Sequence, residues 1–391
     1  MDEEIVEEFR ELFDFDKAKK TVILDKIITD DIITGDKIDI SNDVYKDTGI
    51  HEWASKIPTL EGSKLLIKKL IKHPINDKEL LISRQNSFVD YNIDIEILKD
   101  YEDDILWIYK IAEEISDNSS IEILFPSSFI ISYINYFEFL LDTYHMYKIY
   151  FIPITSILYP VTTFLAPYFY LNNYMKMNIS FSSYISTIYY IFSMLLKTTG
   201  NFRQDLTKFV TLFLYVGIYL YNMYQTYEIA VFLHNTKQKL HEKMEGLVKF
   251  VKHSLNITKN VSKNILDAFF TIEKSFDHLD INNSMTDIYK IWKDKDLKNK
   301  LSALLKTIYG IDVLYAINNL VLSNNWSIAN YNNTETTLWS AKNPVLSKEQ
   351  VSNPINLDKN IIVTGPNAGG KTTYVKTILS NVILSQTFGI T

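Results

Sequence analysis

Hydrophobic and polar positions change rhythm several times along this chain. At the start, Ile5, Val6, Phe9, Leu12 and Phe13 recur at helical spacing among the eight acids and one Arg of residues 2–16. That spacing predicts an amphipathic helix whose acidic face is either solvated or a partner tail. Residues 17–50 read as a mixed segment with short strands from Thr21 to Leu24 and from Ile27 to Ile33. Further on, Leu65, Leu66, Leu70 and Ile71 mark an apolar helical stripe. Pro74 stops that helix, Asn76 or Asp77 caps the next one, and Leu80, Leu81 and Phe88 continue the apolar face.

The middle of the chain loses its polar positions altogether. Residues 149–175, 177–196 and 209–227 contain no charged side chain. Each run is about as long as an apolar helix needs to cross a bilayer. Pro153, Pro160 and Pro167 fall seven apart in the first run, on roughly one face of a kinked helix. Tyr clusters at the ends of the runs, and Lys148, Lys176, Lys197, Arg203 and Lys208 flank them, as at a membrane interface. The other reading is three buried helices of a soluble bundle. Ser180, Ser182, Ser183, Ser186 and Thr187 weaken the second run as a span. If both ends of the chain face one compartment, an even number of crossings is required, and the second run is the one that stays out.

From residue 228 the pattern turns amphipathic again. Ile229, Leu233, Leu240, Met244, Leu247, Val251 and Leu255 lie on one face of a long helix, suited to a helical arm. Lys237, Lys239, Lys243, Lys249 and Lys252 sit on or near its polar face, as solvating charge or as a phosphate-tracking patch. Residues 282–322 are helical again, and 323–338 are an Asn- and Thr-rich linker. An α/β unit follows, with strands expected around Leu338 and Ile361. The expected fold class is mainly α with a partial α/β unit at the C-terminus. The segments are 1–50 (acidic and mixed), 51–148 (helical core), 149–227 (hydrophobic), 228–322 (arm and connector), 323–338 (linker) and 339–391 (α/β).

Composition narrows the chemistry. A chain of 391 residues can bury a core without staples. It has no cysteine, which excludes disulfides, thiolate metal sites and cysteine nucleophiles and fits a reducing, cytoplasm-like compartment. His234 and His241, seven apart, read as a solvated face and not as a metal site. The net charge of −7 argues against a basic nucleic-acid binder taken whole. The acidic start is unlike a signal peptide.

The candidate chemistry lies in IIVTGPNAGGKTTYVKTILS, residues 361–380. Gly365, Gly370, Lys371 and Thr372 satisfy G-x-x-x-x-G-K-[ST]. The β-branched run Ile361-Ile362-Val363 precedes the loop, and a helix is expected from Tyr374 to Leu384. Strand, glycine loop and helix let backbone N–H groups wrap a phosphate at a helix N-terminus. The expected nucleotide-binding residues are Gly365, Pro366, Asn367, Ala368, Gly369, Gly370, Lys371, Thr372 and Thr373, with ATP as ligand. Lys371 would reach the β- and γ-phosphates, Thr372 would ligate Mg²⁺, and Thr373 can donate to an α-phosphate oxygen. Residues 372–391 contain no Asp or Glu, so no catalytic residue is assigned.

The loop TGPNAGGKTTYVKT resembles the T-G-P-N-x-G-G-K-[ST] loop of the MutS family of ABC-class ATPases. ILSNVILSQTFG is similar to the helix that follows it there. Upstream, NPVL and NPINL stand where the family has H-P-x-L and a short P-x-D/N segment, with Asn343 in place of the usual His. YGIDVLYAINNLV resembles the family's L-D-V-L-x-S-L-A helix. Thr59, Gly62, Leu65, Leu66, Leu70, Pro74, Asp77, Arg84 and Gln85 resemble the start of its helical core, T-x-x-G-x-x-L-L-x-x-x-L, P-x-x-D and R-Q. The resemblance covers roughly residues 50–91 and 228–391.

The resemblance implies an ATP-binding protein whose helical core and arm couple nucleotide state to DNA, possible mismatched DNA included, in repair or recombination. Asn367 then approaches the γ-phosphate side. No Phe-x-Glu wedge stands before residue 50, so mismatch reading is not expected, and TTYVKTI leans toward the MutS branch without mismatch-reading domains. The hydrophobic middle resembles membrane-associated MutS-related ATPases. The family's Walker B carboxylates, signature Ser and switch His are expected beyond residue 391, supplied by a longer product, a homodimer or a partner chain. The alternative is a membrane-anchored, non-enzymatic interaction protein with a degenerate loop.

Overall fold

A computed structural model describes residues 13–88, 93–114, 124–261, 263–272, 276, 279–323, 326–331, 335–346 and 350–391. The helix expected over residues 2–16 lies almost wholly outside them. The described chain is mainly helical, with one two-stranded antiparallel sheet near the C-terminus. It divides into two units. The smaller comprises Met1–Phe13, Asp117–Glu242 and Ser284–Tyr289; the larger comprises Asp14–Ser116, Lys243–Asn283 and Lys290–Thr391.

The larger unit begins with a correction. The strands expected at Thr21–Leu24 and Ile27–Ile33 are replaced by a helix, Lys17–Ile27, and a 3-10 turn, Asp30–Ile32. Asp16 caps the helix by accepting from the Lys19 N–H at 2.8 Å. Ile23, Leu24, Ile27 and Ile28 are buried, which is one face of a helix. Burial of that face overrides the β preference of the run. Only Ile33 reaches a strand-like pairing, an isolated antiparallel bridge to Phe270.

The helix Glu61–Lys72 follows the expected stripe, with Leu66, Ile67, Leu70 and Ile71 buried. It stops before Pro74, and Asp77 caps the helix Lys78–Gln85 by accepting from the Glu79 and Leu80 N–H groups at 2.9 and 3.1 Å. Lys78–Gln85 packs on the C-terminal helix Lys371–Phe388, and Glu61–Lys72 packs on Lys295–Leu322, a helix with buried side chains from Leu301 to Asn318 on nearly every side. An all-round apolar helix is a core element. Gly62 is where Glu61–Lys72 meets it: a Cβ there would stand 2.2 Å from the Tyr309 ring.

In the smaller unit, the uncharged runs form helices. Ile152–Phe169 contains Pro160 and Pro167 and is bounded by π-helical turns, Tyr147–Phe151 and Tyr170–Tyr174. Proline removes a backbone donor and loosens the turn before it. Two tyrosines from neighbouring helices bond carbonyls next to the ones that each proline leaves without a donor. Tyr219 donates to the Ile157 carbonyl at 3.1 Å and Tyr184 to the Phe164 carbonyl at 2.5 Å. Each carbonyl lies three residues before a proline. A turn in which Asn172 bonds both the N–H and the carbonyl of Ile179 leads to the helix Phe181–Leu196, capped by Ser180.

The third run and the arm are one continuous helix, Phe202–Lys259. Leu233, Leu240, Met244, Leu247 and Val251 form its buried stripe. Lys237, Lys243 and Lys249 are paired, with Asp142, Asp104 and Glu245 at 2.6–2.7 Å. Two stretches, Glu138–Tyr174 and Phe202–Lys259, are long and apolar enough to cross a membrane, and their most apolar windows are almost unburied.

At the C-terminus, Thr337–Ala341 pairs antiparallel with Asn353–Asn356, Leu338 opposite Ile355. The expected strand at Ile361–Val363 does not form; Ile362 is 88% exposed. A central parallel strand needs partners on both edges and cover on both faces. Here the only sheet among the described residues is a hairpin that pairs with itself. The helix after the loop does form, as Lys371–Phe388.

Candidate nucleotide-binding site

The glycine loop is held by its backbone conformation. Gly370 takes φ +80° and Ala368, a non-glycine residue, φ +64°. Left-handed residues alternating with ordinary ones turn successive N–H groups toward one side, the geometry of an anion nest. The Gly369 N–H closes the turn onto the Pro366 carbonyl at 3.1 Å. Gly370 is also the N-cap of Lys371–Phe388 and offers no side chain to the first turn. The positive end of that helix therefore opens at the loop. The Lys371 ammonium folds over it, donating to the Gly365 carbonyl and to the Pro366 carbonyl at 3.1 Å.

The nine expected residues thus occupy one loop and one helix turn. Gly365 to Gly370, Thr372 and Thr373 are exposed, and Lys371 is half-buried. Gly369, Gly370, Lys371 and Thr373 line a cleft of about 560 Å³ whose opposite wall is the β-hairpin, through Ala341, Asn353 and Pro354. This is within the usual size of a small-ligand cleft. The residues fit the phosphates of a nucleotide: an uncapped helix start, a nest and one lysine. For a divalent cation they supply only neutral side-chain oxygens, those of Asn367, Thr372 and Thr373, and no cluster of His, Asp or Glu side chains that could hold a metal occurs among the described residues.

Several residues that shape the site were not legible as such. Tyr374 lines the cleft with an aromatic ring one turn into the helix. Asn343 is buried; its N–H donates to the Gln350 side chain at 2.8 Å and its carbonyl accepts from that side chain at 3.0 Å. Asn381 donates to the Lys342 carbonyl at 3.0 Å, fixing that wall to the helix. Of these, only Asn343 stands out in the sequence, through the resemblance and not through its spacing; the partners of Asn343 and Asn381 are set by the tertiary fold.

The far end of the same helix is clamped by Arg84 and Gln85. Arg84 is fully buried and donates to the carbonyls of Thr387 at 2.6 Å, Ala268 at 3.0 Å and Thr34 at 3.1 Å. Its guanidinium lies 4.9 Å from the Phe269 ring centroid. Gln85 donates to Gly389 at 2.9 Å and Ala329 at 2.6 Å. Burial pushes Arg84 down to about 10 and Tyr331, which donates to Ser385, up to about 12. Arg84 remains a cation at neutral pH, facing the negative end of the helix dipole. No protein-family model, curated protein or solved structure matches the chain.

Proposed function

We propose that this protein binds ATP with Mg²⁺ at Gly365–Thr373 as a membrane-associated relative of the MutS ATPases, its helical core and arm coupling nucleotide state to DNA. The observation that carries the nucleotide reading is the left-handed loop at Ala368 and Gly370 opening into a cleft beside Lys371 and an uncapped 18-residue helix. Backbone N–H groups, the helix dipole and one ammonium are what a triphosphate requires. Bound Mg²⁺ would neutralise phosphate charge, with Thr372 as its protein ligand. The membrane reading is supported by the two long apolar helices and their exposed side chains. The loop then faces a reducing, cytoplasm-like compartment.

Binding without turnover is expected of this chain alone. Asp358, the acid that precedes the loop, is committed to the Thr336 N–H at 3.0 Å, and residues 372–391 supply none. The test is titration of the detergent-solubilised chain with a fluorescent ATP analogue and Mg²⁺. Saturable binding should weaken at least about tenfold in Lys371→Ala, since the ammonium is the charge nearest the phosphates. Equal binding by the variant, or none by either protein, would overturn the nucleotide reading. Phosphate release that disappears in Lys371→Ala would overturn the claim of binding without turnover.

A further inference from the structure

We infer that the apolar segment crosses a lipid bilayer twice, as an antiparallel hairpin, with the helix Phe181–Leu196 lying along the far interface and both soluble segments in one compartment. This rests on the membrane reading above and goes beyond it in fixing sidedness and the number of crossings.

The hairpin follows from two contacts within the smaller unit. Tyr219 meets Ile157, and Lys237 meets Asp142 at 2.7 Å. Moving toward the C-terminus along Phe202–Lys259 therefore means moving toward the N-terminus along Glu138–Tyr174. The two contacts lie about 27 Å apart on one helix and about 22 Å apart on the other. This register sets the uncharged run 209–227 beside about residues 149–166 of the uncharged run 149–175. Lys148 and Glu228 then share the near edge; at the far one Lys208 lies level with about Pro167, and Lys176 follows beyond it. The shared slab is about as thick as a bilayer's hydrocarbon core. Phe213, Leu214 and Ile154 are exposed within it. Where lipid replaces water, polar groups of such a hairpin need protein partners, and Tyr219 and Tyr184 find theirs in the Ile157 and Phe164 carbonyls of the proline-bearing helix.

The middle helix does not cross. Phe181–Leu196 has 16 residues and spans about 24 Å, short of a bilayer's roughly 30 Å. Ser182, Ser183, Ser186, Thr187 and Ser193 fall on one face, within about 140° of arc at 100° per residue. Phe181, Ile185, Ile188 and Phe192 lie on the other. An uncharged amphipathic helix of this kind suits an interface. Its ring contacts, Phe181 and Tyr184 with Tyr168 and Phe192 with Phe164, set it beside the end of Ile152–Phe169 away from Asp142.

Chain connectivity supplies the sidedness. Segments before and after the apolar region build one unit: Asp312 accepts from the Leu60 N–H at 2.8 Å, and Arg84 donates to Thr387 at 2.6 Å. Segments so joined occupy one compartment, so the number of crossings is even. Three crossings would separate Leu60 from Asp312.

The absence of native cysteine makes the test direct. Full-length Lys56→Cys, Thr198→Cys and Lys359→Cys are expressed singly and treated with a membrane-impermeant maleimide in intact cells and in inverted vesicles. Lys56→Cys and Lys359→Cys should label from the same face and Thr198→Cys from the opposite one, with the protein resisting carbonate extraction. A chain released by carbonate, or recovered without detergent as a soluble monomer or self-associated oligomer, would overturn the membrane reading itself. A chain that stays with the membrane but labels at 56 and 359 from opposite faces, or at all three positions from one face, would overturn the hairpin alone.

Discussion

Two buried acids and one glycine fix the start of the helix Glu61–Lys72. Leu60 is its N-cap and has no side-chain oxygen to offer. Asp312 instead accepts from the Thr59 and Leu60 N–H groups at 3.1 and 2.8 Å, and Glu102 from Glu61 and Gly62 at 2.9 and 3.0 Å. Gly62 lies against Tyr309, which is fully buried. Gly62→Ala should therefore destabilise the larger unit by about 1–3 kcal/mol, the usual cost of overpacking, read as a lower urea midpoint; an unchanged midpoint would mean that the ring moves freely. Burial holds the Asp312 carboxyl above its ordinary range. The folded state thus keeps a proton that the unfolded chain releases near about pH 3.9. Stability from this group is greatest below that pH and falls as pH rises through the raised value, then stays level. The stability difference between the protein and Asp312→Asn should accordingly shift against the protein across that window. A difference that grows with pH would show the carboxylate to be favoured when charged.

At the scale of elements, the glycine-loop helix is held at its C-terminal end. Arg84→Met would leave the carbonyls of Thr34, Ala268 and Thr387 without their donor. Unsatisfied buried carbonyls cost about 1–3 kcal/mol each, so a loss above roughly 3 kcal/mol is expected in chemical unfolding. Arg84→Lys should recover only part of it, because one ammonium cannot reproduce a planar fork; full recovery would show that charge alone suffices. Such long-range clamps explain what could be read beforehand. Pro74 and Asp77 were legible because stops and caps act on their own neighbours. Arg84 was visible only as half of an R-Q pair, since Thr387 is 303 positions away. The helix Lys17–Ile27 looks like strand in the sequence because its buried positions, adjacent and four apart, sit in a β-branched run too short to separate two periods. At Ile361–Val363 the local preference was for a strand, but no partner strand is present among the described residues. The loop Gly365–Gly370 survives that loss, because its shape depends on left-handed residues and a helix start.

For the whole molecule, charge decides what the arm can hold. The net charge is −7, and three of the five arm lysines singled out by the pattern are already paired: Lys237 with Asp142, Lys243 with Asp104 and Lys249 with Glu245. A phosphate contact would have to displace these carboxylates or use the remaining cations. The Lys249–Glu245 pair is exposed and weak, about 0–1 kcal/mol, whereas the other two are partly buried, so displacing them brings little net attraction. Lysine contacts of this kind neutralise phosphates and read no base edges. Any DNA binding should therefore fall near the nonspecific range, about 10⁻⁴–10⁻⁶ M at physiological salt. It should weaken as salt rises and ignore a single mismatch. Fluorescence anisotropy of the detergent-solubilised chain with matched and singly mismatched duplexes, at two salt concentrations, measures all three. Lys252→Glu should weaken both duplexes equally, since it adds repulsion without touching a base. A tenfold preference for the mismatched duplex, or affinity unmoved by salt, would mean that base or shape recognition comes from a surface other than the lysines of this helix.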